Sequence, residues 1–372
     1  MAATDFGALT VAQKKVWAAE TWSAGRDKSF FFSNGFIGKS DSDMNSVIQR
    51  VSKLTETERG LECVMQLVQD LQGDGVVGDN EMEGNEEAMV NDAVVIRFDQ
   101  IRNGTKSKGE MAEQATVIRF RSQSKEKLAF WLSDKLDELM FLTLSGRNYS
   151  QMTNGKTRVG SQLPSLRFAA DVVAPSSQRI IYAGSATSEG SITSSDKMSW
   201  ETIVRAHTLA QEKRLRPIRS GGKEHYCMVM HPRQRQSLVL DPTYMTVLRS
   251  ADKVGADNKL FTGAFATVDG VILYAHNKVC STTGLTASNK WGAGGNVDGA
   301  QAIMMGAQAG GISMIGSMFW RESSSTDYGN RPGTATGRKI GMLKPQFKSN
   351  YDEGTRQDFG TIAVKTAAPS VN

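Results

Sequence analysis

His225, Cys227 and His231 are the side chains best suited to chemistry. They share one parity along a strand expected over 226–230, which would put three nitrogen and sulfur donors on one side. Zinc takes three or four such ligands. His231, however, stands at the entry of a helix, before Pro232, and no fourth donor lies in sequence reach. Packing is the better reading, and it applies equally to the pair His276 and Cys280. Asp79-Asn80-Glu81-Met82-Glu83-Gly84 copies the first half of a calcium loop, with oxygen donors at alternate positions and glycine sixth. The position that should supply a bidentate carboxylate is Val90, and no helix flanks the segment. There is no Gly-x-Ser-x-Gly elbow and no phosphate loop ending in Lys-Ser or Lys-Thr, and Gly292-Ala293-Gly294-Gly295 lacks the strand and helix of a dinucleotide site. Neither an enzyme nor a cofactor is expected.

The elements around these residues say more. Residues 61–71 alternate, with Leu61, Cys63, Met65, Leu67 and Leu71 on one face and Glu62, Val64, Gln66, Val68 and Asp70 on the other. Residues 93–101 alternate again, with Val94, Ile96 and Phe98 opposite Val95, Arg97, Asp99 and Ile101. Between them runs an acidic, glycine-punctuated excursion that is too hydrophilic to form a core. The spacing predicts a long hairpin with an acidic tip. A two-stranded hairpin of that length needs something to lie against, and another subunit would serve.

From about 108 the period becomes helical. Leu128, Trp131, Leu132, Leu136, Leu139 and Met140 recur at spacings of three and four, with Ser133, Asp134, Lys135, Asp137 and Glu138 on the opposite side. Gly146 stops the helix. Counted from Met111 it would span roughly 50 Å. Its first half carries Arg119, Arg121, Lys125 and Lys127, a basic face open to solvent, to a neighbour's acidic loop or to DNA.

Residues up to about 53 read as an arm anchored by Trp17, Trp22 and Phe30-Phe31-Phe32, or as an ordinary helix docked on the body. Further on, the pattern predicts loops and short strands over 147–199, a helix over 199–214, a strand over 226–230 and a short helix over 233–240. Later strands are expected over 270–275, 341–347 and 360–365. This is an α+β pattern rather than regular βαβ repetition.

Length and composition permit one elaborate domain or two lobes for 372 residues. A net charge of +5 allows contact with nucleic acid without demanding it. Three scattered cysteines, Cys63, Cys227 and Cys280, point to free, buried thiols in a reducing compartment. Residues 1–10 lack the features of a signal peptide. The charge-free run 299–320 holds five glycines and several polar side chains, so it is expected as a buried, closely packed helix rather than a membrane span.

At this point the chain resembles a known family, the major capsid proteins of tailed phages related to coliphage N-four. Residues 61–71 entering Gly73-Asp74-Gly75-Val76-Val77-Gly78-Asp79 carry the resemblance first. Glu83-Gly84-Asn85-Glu86-Glu87-Ala88, Phe98-Asp99-Gln100-Ile101-Arg102 and Lys108-Gly109-Glu110-Met111-Ala112-Glu113-Gln114 follow. Ala174-Pro175-Ser176-Ser177-Gln178-Arg179, Ser195-Asp196-Lys197, Pro217-Ile218, Gly221-Gly222, His231-Pro232, Leu260-Phe261-Thr262-Gly263-Ala264 and Asp358-Phe359-Gly360 complete an ordered set over nearly the whole chain.

The resemblance implies the Hong Kong 97-type capsid fold. It would place an N-terminal arm at 1–60, a peripheral-domain strand at 61–71 and an extended loop at 72–109. The peripheral domain with its spine helix would occupy 110–165, an axial domain with insertions 166–334, and peripheral C-terminal strands 335–372. It further implies hexamers and pentamers of this chain in an icosahedral head around double-stranded DNA, assembled in the host bacterial cytoplasm. Portal and scaffolding or cement proteins would be partners, DNA contacts would be nonspecific, and no membrane would be involved. The extended loop would lie on a neighbour, so Asp79, Glu81, Glu83, Glu86 and Glu87 are expected to meet Arg119, Arg121 or Lys125 of the next subunit. Some members crosslink through a lysine on that loop; here the tip has none, and Lys106 and Lys108 stand near its returning base. A nonspecific DNA-binding protein or a hydrolase with a dispersed metal site would be the rival classes, and neither accounts for the acidic hairpin.

Overall fold

In the computed structural model, residues 11–41, 43–51, 61–68, 75–86, 91–109, 111, 120–250, 264–323, 330–348 and 354–370 are described. Strand β2 (Glu62–Val68) turns Cys63, Met65 and Leu67 inward and leaves Val64 outside, as its alternation dictates. It pairs antiparallel with β3 (Asn91–Arg97), from Glu62 opposite Arg97 to Val68 opposite Asn91. The hairpin is therefore present, with residues 69–74 and 87–90 of its course outside the described set. Leu61 lies before the strand and is exposed, not inward.

The returning strand is not continuous. At Phe98 the pleat breaks, and β4 (Asp99–Lys106) leaves β2 to join β12 (Gly333–Leu343). Phe98 and Ile101 are consequently both buried although they stand on opposite parities. The Phe98 N–H donates to the Leu61 carbonyl at 3.1 Å, which marks the last rung of the hairpin. A four-stranded sheet follows in the order β1 (Ile48–Arg50), β11 (Gly310–Ser323), β12, β4. β1 runs parallel to β11, and the other pairs are antiparallel.

A second, seven-stranded sheet has the order β5 (Ile180–Tyr182), β15 (Thr361–Ala367), β10 (Gly299–Met305), β7 (Lys223–Met230), β9 (Val271–Ala275), β8 (Ala266–Val268). β6 (Ile218–Ser220) adds to β7. The run 299–320, expected as a buried helix, is thus two strands in two different sheets. Burial on every face erases periodicity, and β10 is buried at all seven residues, so the run offers no period to read. Its glycines answer close contacts instead: a Cβ at Gly299 would fall 1.8 Å from the Trp291 ring, and one at Gly306 would fall 2.3 Å from the Arg216 carbonyl oxygen.

The strand expected over 341–347 also divides. β12 ends at Leu343, and after Lys344-Pro345 a short β13 (Gln346–Lys348) pairs with β14 (Arg356–Asp358). Proline cannot donate to a ladder, and Lys344 turns inward to a buried ion pair with Asp358 at 2.8 Å. Within 335–372, β12 lies in the four-stranded sheet and β15 in the seven-stranded one.

Helix α1 (Val11–Lys28) is the docked helix of the two readings, packing on α3 (Phe120–Ser145) and β11. The Trp17 and Trp320 rings meet edge to face at 5.7 Å. A one-turn α2 (Phe30–Ser33) then sends Phe31 and Phe36 into the main core, where they meet Phe141 and Tyr274. The 26 residues of α3 span about 39 Å at 1.5 Å each. The rest of the expected 50 Å helix, residues 112–119, lies outside the described set. Leu128, Leu132, Leu136, Leu139 and Met140 are buried as the spacing requires.

The polar side of α3 is partly turned inward. Ser133, Asp137 and Glu138 are buried. Asp137 accepts from the Ser29 hydroxyl at 2.6 Å and from the Phe30 N–H at 2.8 Å, so its carboxylate caps the start of α2. Glu138 binds Arg158 and Lys135, and Asp134 binds Lys278. Gly146 ends the helix in the left-handed region (φ +66°), with the Arg147 N–H on the Leu142 carbonyl and the Gly146 N–H on the Thr143 carbonyl. A Cβ there would lie 2.3 Å from the Val173 carbonyl oxygen.

Around the second sheet, Ser199 caps α4 (Trp200–Glu212) by accepting from the Thr202 N–H. Its Ile203, Ala206 and Ala210 pack on Met228, Met304 and Val364. α5 (Pro232–Val239) and α6 (Pro242–Ser250) complete that layer. Replacing Asp137 by alanine leaves the Phe30 and Phe31 N–H groups without their acceptor and should cost about 2–4 kcal/mol. Urea unfolding of D137A against wild type, with D137N as the variant that retains one acceptor, measures it.

Candidate inter-subunit interface

The metal candidates separate in three dimensions. Cys227 points into the centre of the second sheet, where burial pushes its thiol up. His231 leaves the strand to cap α5: its ring Nδ1 accepts the Arg233 N–H at 3.2 Å, while Gln234 accepts the His231 N–H at 2.9 Å. His276 stacks on Phe141 with centroids 5.1 Å apart, and its Nδ1 accepts the Lys278 N–H at 3.2 Å. Cys280 lies buried against the Phe141 carbonyl. Among the described residues no three of His, Cys, Asp and Glu converge on a point. All three cysteines are free and buried. No described helix is long and apolar enough to cross a membrane.

The acidic tip is exposed throughout 77–86. Gly75, Gly78 and Gly84 take positive φ, which bends the segment into successive turns. Local bonds hold it: the Asn80 amide donates to the Val77 carbonyl at 2.7 Å, the Asn85 amide to the Glu81 carbonyl at 2.9 Å, and the Gly84 N–H to the Glu86 carboxylate at 2.8 Å. Asp79, Glu81, Glu83 and Glu86 pair with no cation among the described residues. Their oxygens face outward with Val77, 78 % exposed, and Met82, 61 % exposed. The calcium-loop half therefore offers its carboxylates to solvent rather than to a common centre. Glu87 and Val90 lie outside the described residues.

Of the expected basic counterparts, Lys125 binds Glu20 of its own chain, and its Nζ lies 5.0 Å from the Trp17 ring centre. It secures α1 to α3. Arg119 lies outside the described residues, and Arg121 falls on α3 where only the backbone is described.

Sequence reading passed over a cluster on another surface. A cleft of about 730 Å³ opens where residues 43–45 meet the end of α4 and the β6–β7 hairpin, and Arg214, Arg216 and Arg219 line it. The signal in the sequence was the basic run from Lys213 to Arg219, broken by Leu215 and Pro217, which looks like an ordinary helix end.

A family model described as phage capsid protein matches residues 4–370. The major capsid protein of Pseudomonas phage KPP25 is 40% identical over 375 residues, covering 98% of both chains. The chain belongs to the phage capsid protein family. That family is structural, not enzymatic, in keeping with the dispersed histidines and cysteines. The capsid of Ralstonia phage GP4 superposes with a TM-score of 0.77 at 28% identity over 93% of each chain. The Cyanophage Pam1 capsid asymmetric unit, 17% identical, shares the fold with a TM-score of 0.66 over 98% of this chain and 99% of that one. The α+β architecture is accordingly that of a phage capsid protein, a building unit of the virion shell.

Two half-buried histidines give this capsid protein a defined response to acid. Both rings accept a backbone N–H through Nδ1, which only the neutral imidazole can do. Burial pushes both down to about 4, with Arg233 adding at His231 and Lys278 at His276, where Asp134 opposes. The unfolded chain takes up these protons near 6.5, so the stability they contribute is present above pH 6.5 and is lost as the pH falls toward 4. The loss should reach about 1–3 kcal/mol per ring. Urea midpoints at pH 7 and pH 5 measure it, and H276N, which keeps an acceptor without titrating, should lower the difference.

Proposed function

We propose that this chain is the major shell subunit of a tailed-phage head, self-assembling through hexamers and pentamers into an icosahedral container for double-stranded DNA. The observation that carries the reading is the exposed acidic tip, which has no cationic partner among the described residues of its own chain, on a protein of the phage capsid family. A charged, partly apolar tip on a projecting hairpin is stable only when it lies against something, and in a shell of identical units that surface is a neighbour.

In this reading the fold is of the Hong Kong 97 type. Residues 1–60 form the N-terminal arm, 72–109 the extended loop, 61–71 and 110–165 the peripheral domain with α3 as spine helix, 166–334 the axial domain and 335–372 the C-terminal peripheral strands. Two sheets join parts of this division: β11, in the axial range, pairs with β12 of the C-terminal strands, and β15 sits among strands of the axial range. Asp79, Glu81, Glu83, Glu86 and Glu87 meet cations of the next subunit, and Arg119, Arg121 and Lys125 are the candidates offered by the sequence; Lys125 would have to exchange Glu20. Each exposed pair contributes only about 0–1 kcal/mol, so strength comes from repetition over many interfaces. Assembly takes place in the host bacterial cytoplasm, with portal and scaffolding or cement proteins as partners. The packaged DNA is held by nonspecific phosphate contacts.

Negative-stain microscopy of the purified protein, alone and co-expressed with its neighbouring phage genes, should show closed shells or hexameric sheets and tubes. The double variant Glu83→Lys, Glu86→Lys should remain folded by circular dichroism yet lose at least 10-fold in shell yield. Small monodisperse oligomers from the wild type in both preparations would overturn the reading.

A further inference from the structure

The acidic tip needs a receiving surface, and Lys125, the one of the three expected cations whose side chain is described, is occupied. Lys125 is bound to Glu20 and covers Trp17, so drawing it outward would loosen α1. The cleft between residues 43–45, the end of α4 and the β6–β7 hairpin is built differently. Three guanidiniums line it against two carboxylates, Asp43 and Glu224.

Its arginines are held in place from behind. Arg216 donates to the Gln308 side-chain oxygen at 3.2 Å, and Gln308 in turn donates to Gln49 at 2.8 Å, so a buried neutral amide orients this guanidinium without neutralising it. The Arg219 backbone is gripped on both sides by the Asn45 side chain, which accepts its N–H at 2.8 Å and donates to its carbonyl at 2.6 Å. That clamp fixes the wall of the cleft while leaving the Arg219 side chain outside, where it meets Glu224 at 3.2 Å in an exposed pair. Met44 and Pro217 supply an apolar part of the lining.

The tip is the complement of this surface. It presents four carboxylates beside Val77 and Met82, both largely exposed. Its described side chains bond only within the tip itself, so it does not occupy its own chain's cleft.

We propose that the arginine-lined cleft of one subunit receives the acidic tip of a neighbouring copy, with Glu83 and Glu86 facing Arg216 and Arg219 and with Met82 against Met44 and Pro217. The proposal rests on the reading of the β2–β3 excursion as an inter-subunit element. Arg219 exchanges its exposed pairing with Glu224 for a carboxylate arriving from outside, and the fixed planar forks of the arginines set the register of docking.

Two measurements test it and separate its failure from that of the broader reading. In the first, Glu83→Cys is combined with Arg219→Cys, and separately with Lys125→Cys, in otherwise intact chains. The three native thiols are buried, so mild oxidation reports only the introduced pair. Assembled particles of the first pair should give a ladder of covalently linked subunits on denaturing gels. A ladder from the second pair alone would return the tip to the helix and overturn the proposal.

In the second, Arg216→Glu, Arg219→Glu should lower shell yield at least 10-fold, and adding Glu83→Arg, Glu86→Arg to the same chain should restore most of it. Wild-type yield from the arginine reversal, beside lost yield from Glu83→Lys, Glu86→Lys, would overturn the cleft and leave the loop reading standing. Wild-type yield from both reversals would overturn the loop reading as well. Normal shells that retain less DNA would make the cleft a phosphate contact and overturn docking of the tip.

Discussion

The second half of α3 has no face in water. From Leu136 to Ser145 every residue is buried, so each polar group on that stretch must find its partner inside the protein. The partners come from widely separated parts of the chain. Asp137 is answered by Ser29 and the start of α2, Glu138 by Arg158, Thr143 by Tyr149 at 2.6 Å, and the Ser145 carbonyl by Gln301 of β10 at 3.0 Å. Asp134, half a turn away, is answered by Lys278 beyond β9. Leaving any of these groups unpaired in the interior costs more than the bond itself contributes. These bonds together tie the N-terminal segment, the loop after α3 and the second sheet to one helix.

That arrangement explains which parts of the fold were legible. The inward faces of β2 and α3, the Ser199 cap, the His231-Pro232 boundary and the Gly146 stop depend on local rules, and local rules are written in neighbouring residues. The burial of Asp137 and Glu138 was not legible, because a charged side chain in a helical period shows no partner, and Ser29 lies more than a hundred positions away. The 299–320 run was misread because burial on all sides leaves no period. The split of 93–101 at Phe98 and of 341–347 at Lys344 arises from sheet partners, β12 and β14, that nothing near those residues specifies. The acidic tip was plain from composition alone. The arginine-lined cleft was not, since the three arginines are spaced like the end of any amphipathic helix and become a cleft only when residues 43–45 pack beside them.

A shell subunit has to be rigid within and adhesive without. The interior described here is closed to further chemistry: thiols lie in apolar surroundings, the inward-turned Lys344 is matched by Asp358, and the neutral rings of His231 and His276 are committed to backbone donors. Burial disfavours the charged form of Lys344, and Asp358 offsets that tendency. Among the described residues the acidic tip, by contrast, is exposed throughout, and its carboxylates pair with no cation of the chain.

The position of β15 carries a consequence for the timing of biogenesis. This strand follows β5 and β10 in the chain yet lies between them, parallel to one and antiparallel to the other. A ribosome releases residues in order, so the place between β5 and β10 stays empty until 361–367 have emerged, and β5 has no strand neighbour in the sheet until then. Growing chains are therefore held short of the mature shape by topology alone, whatever their local concentration. A chain stopped before 361–367 would lack the strand that joins β5 to the rest of the second sheet, so the last segment to be made is also the one that closes the fold.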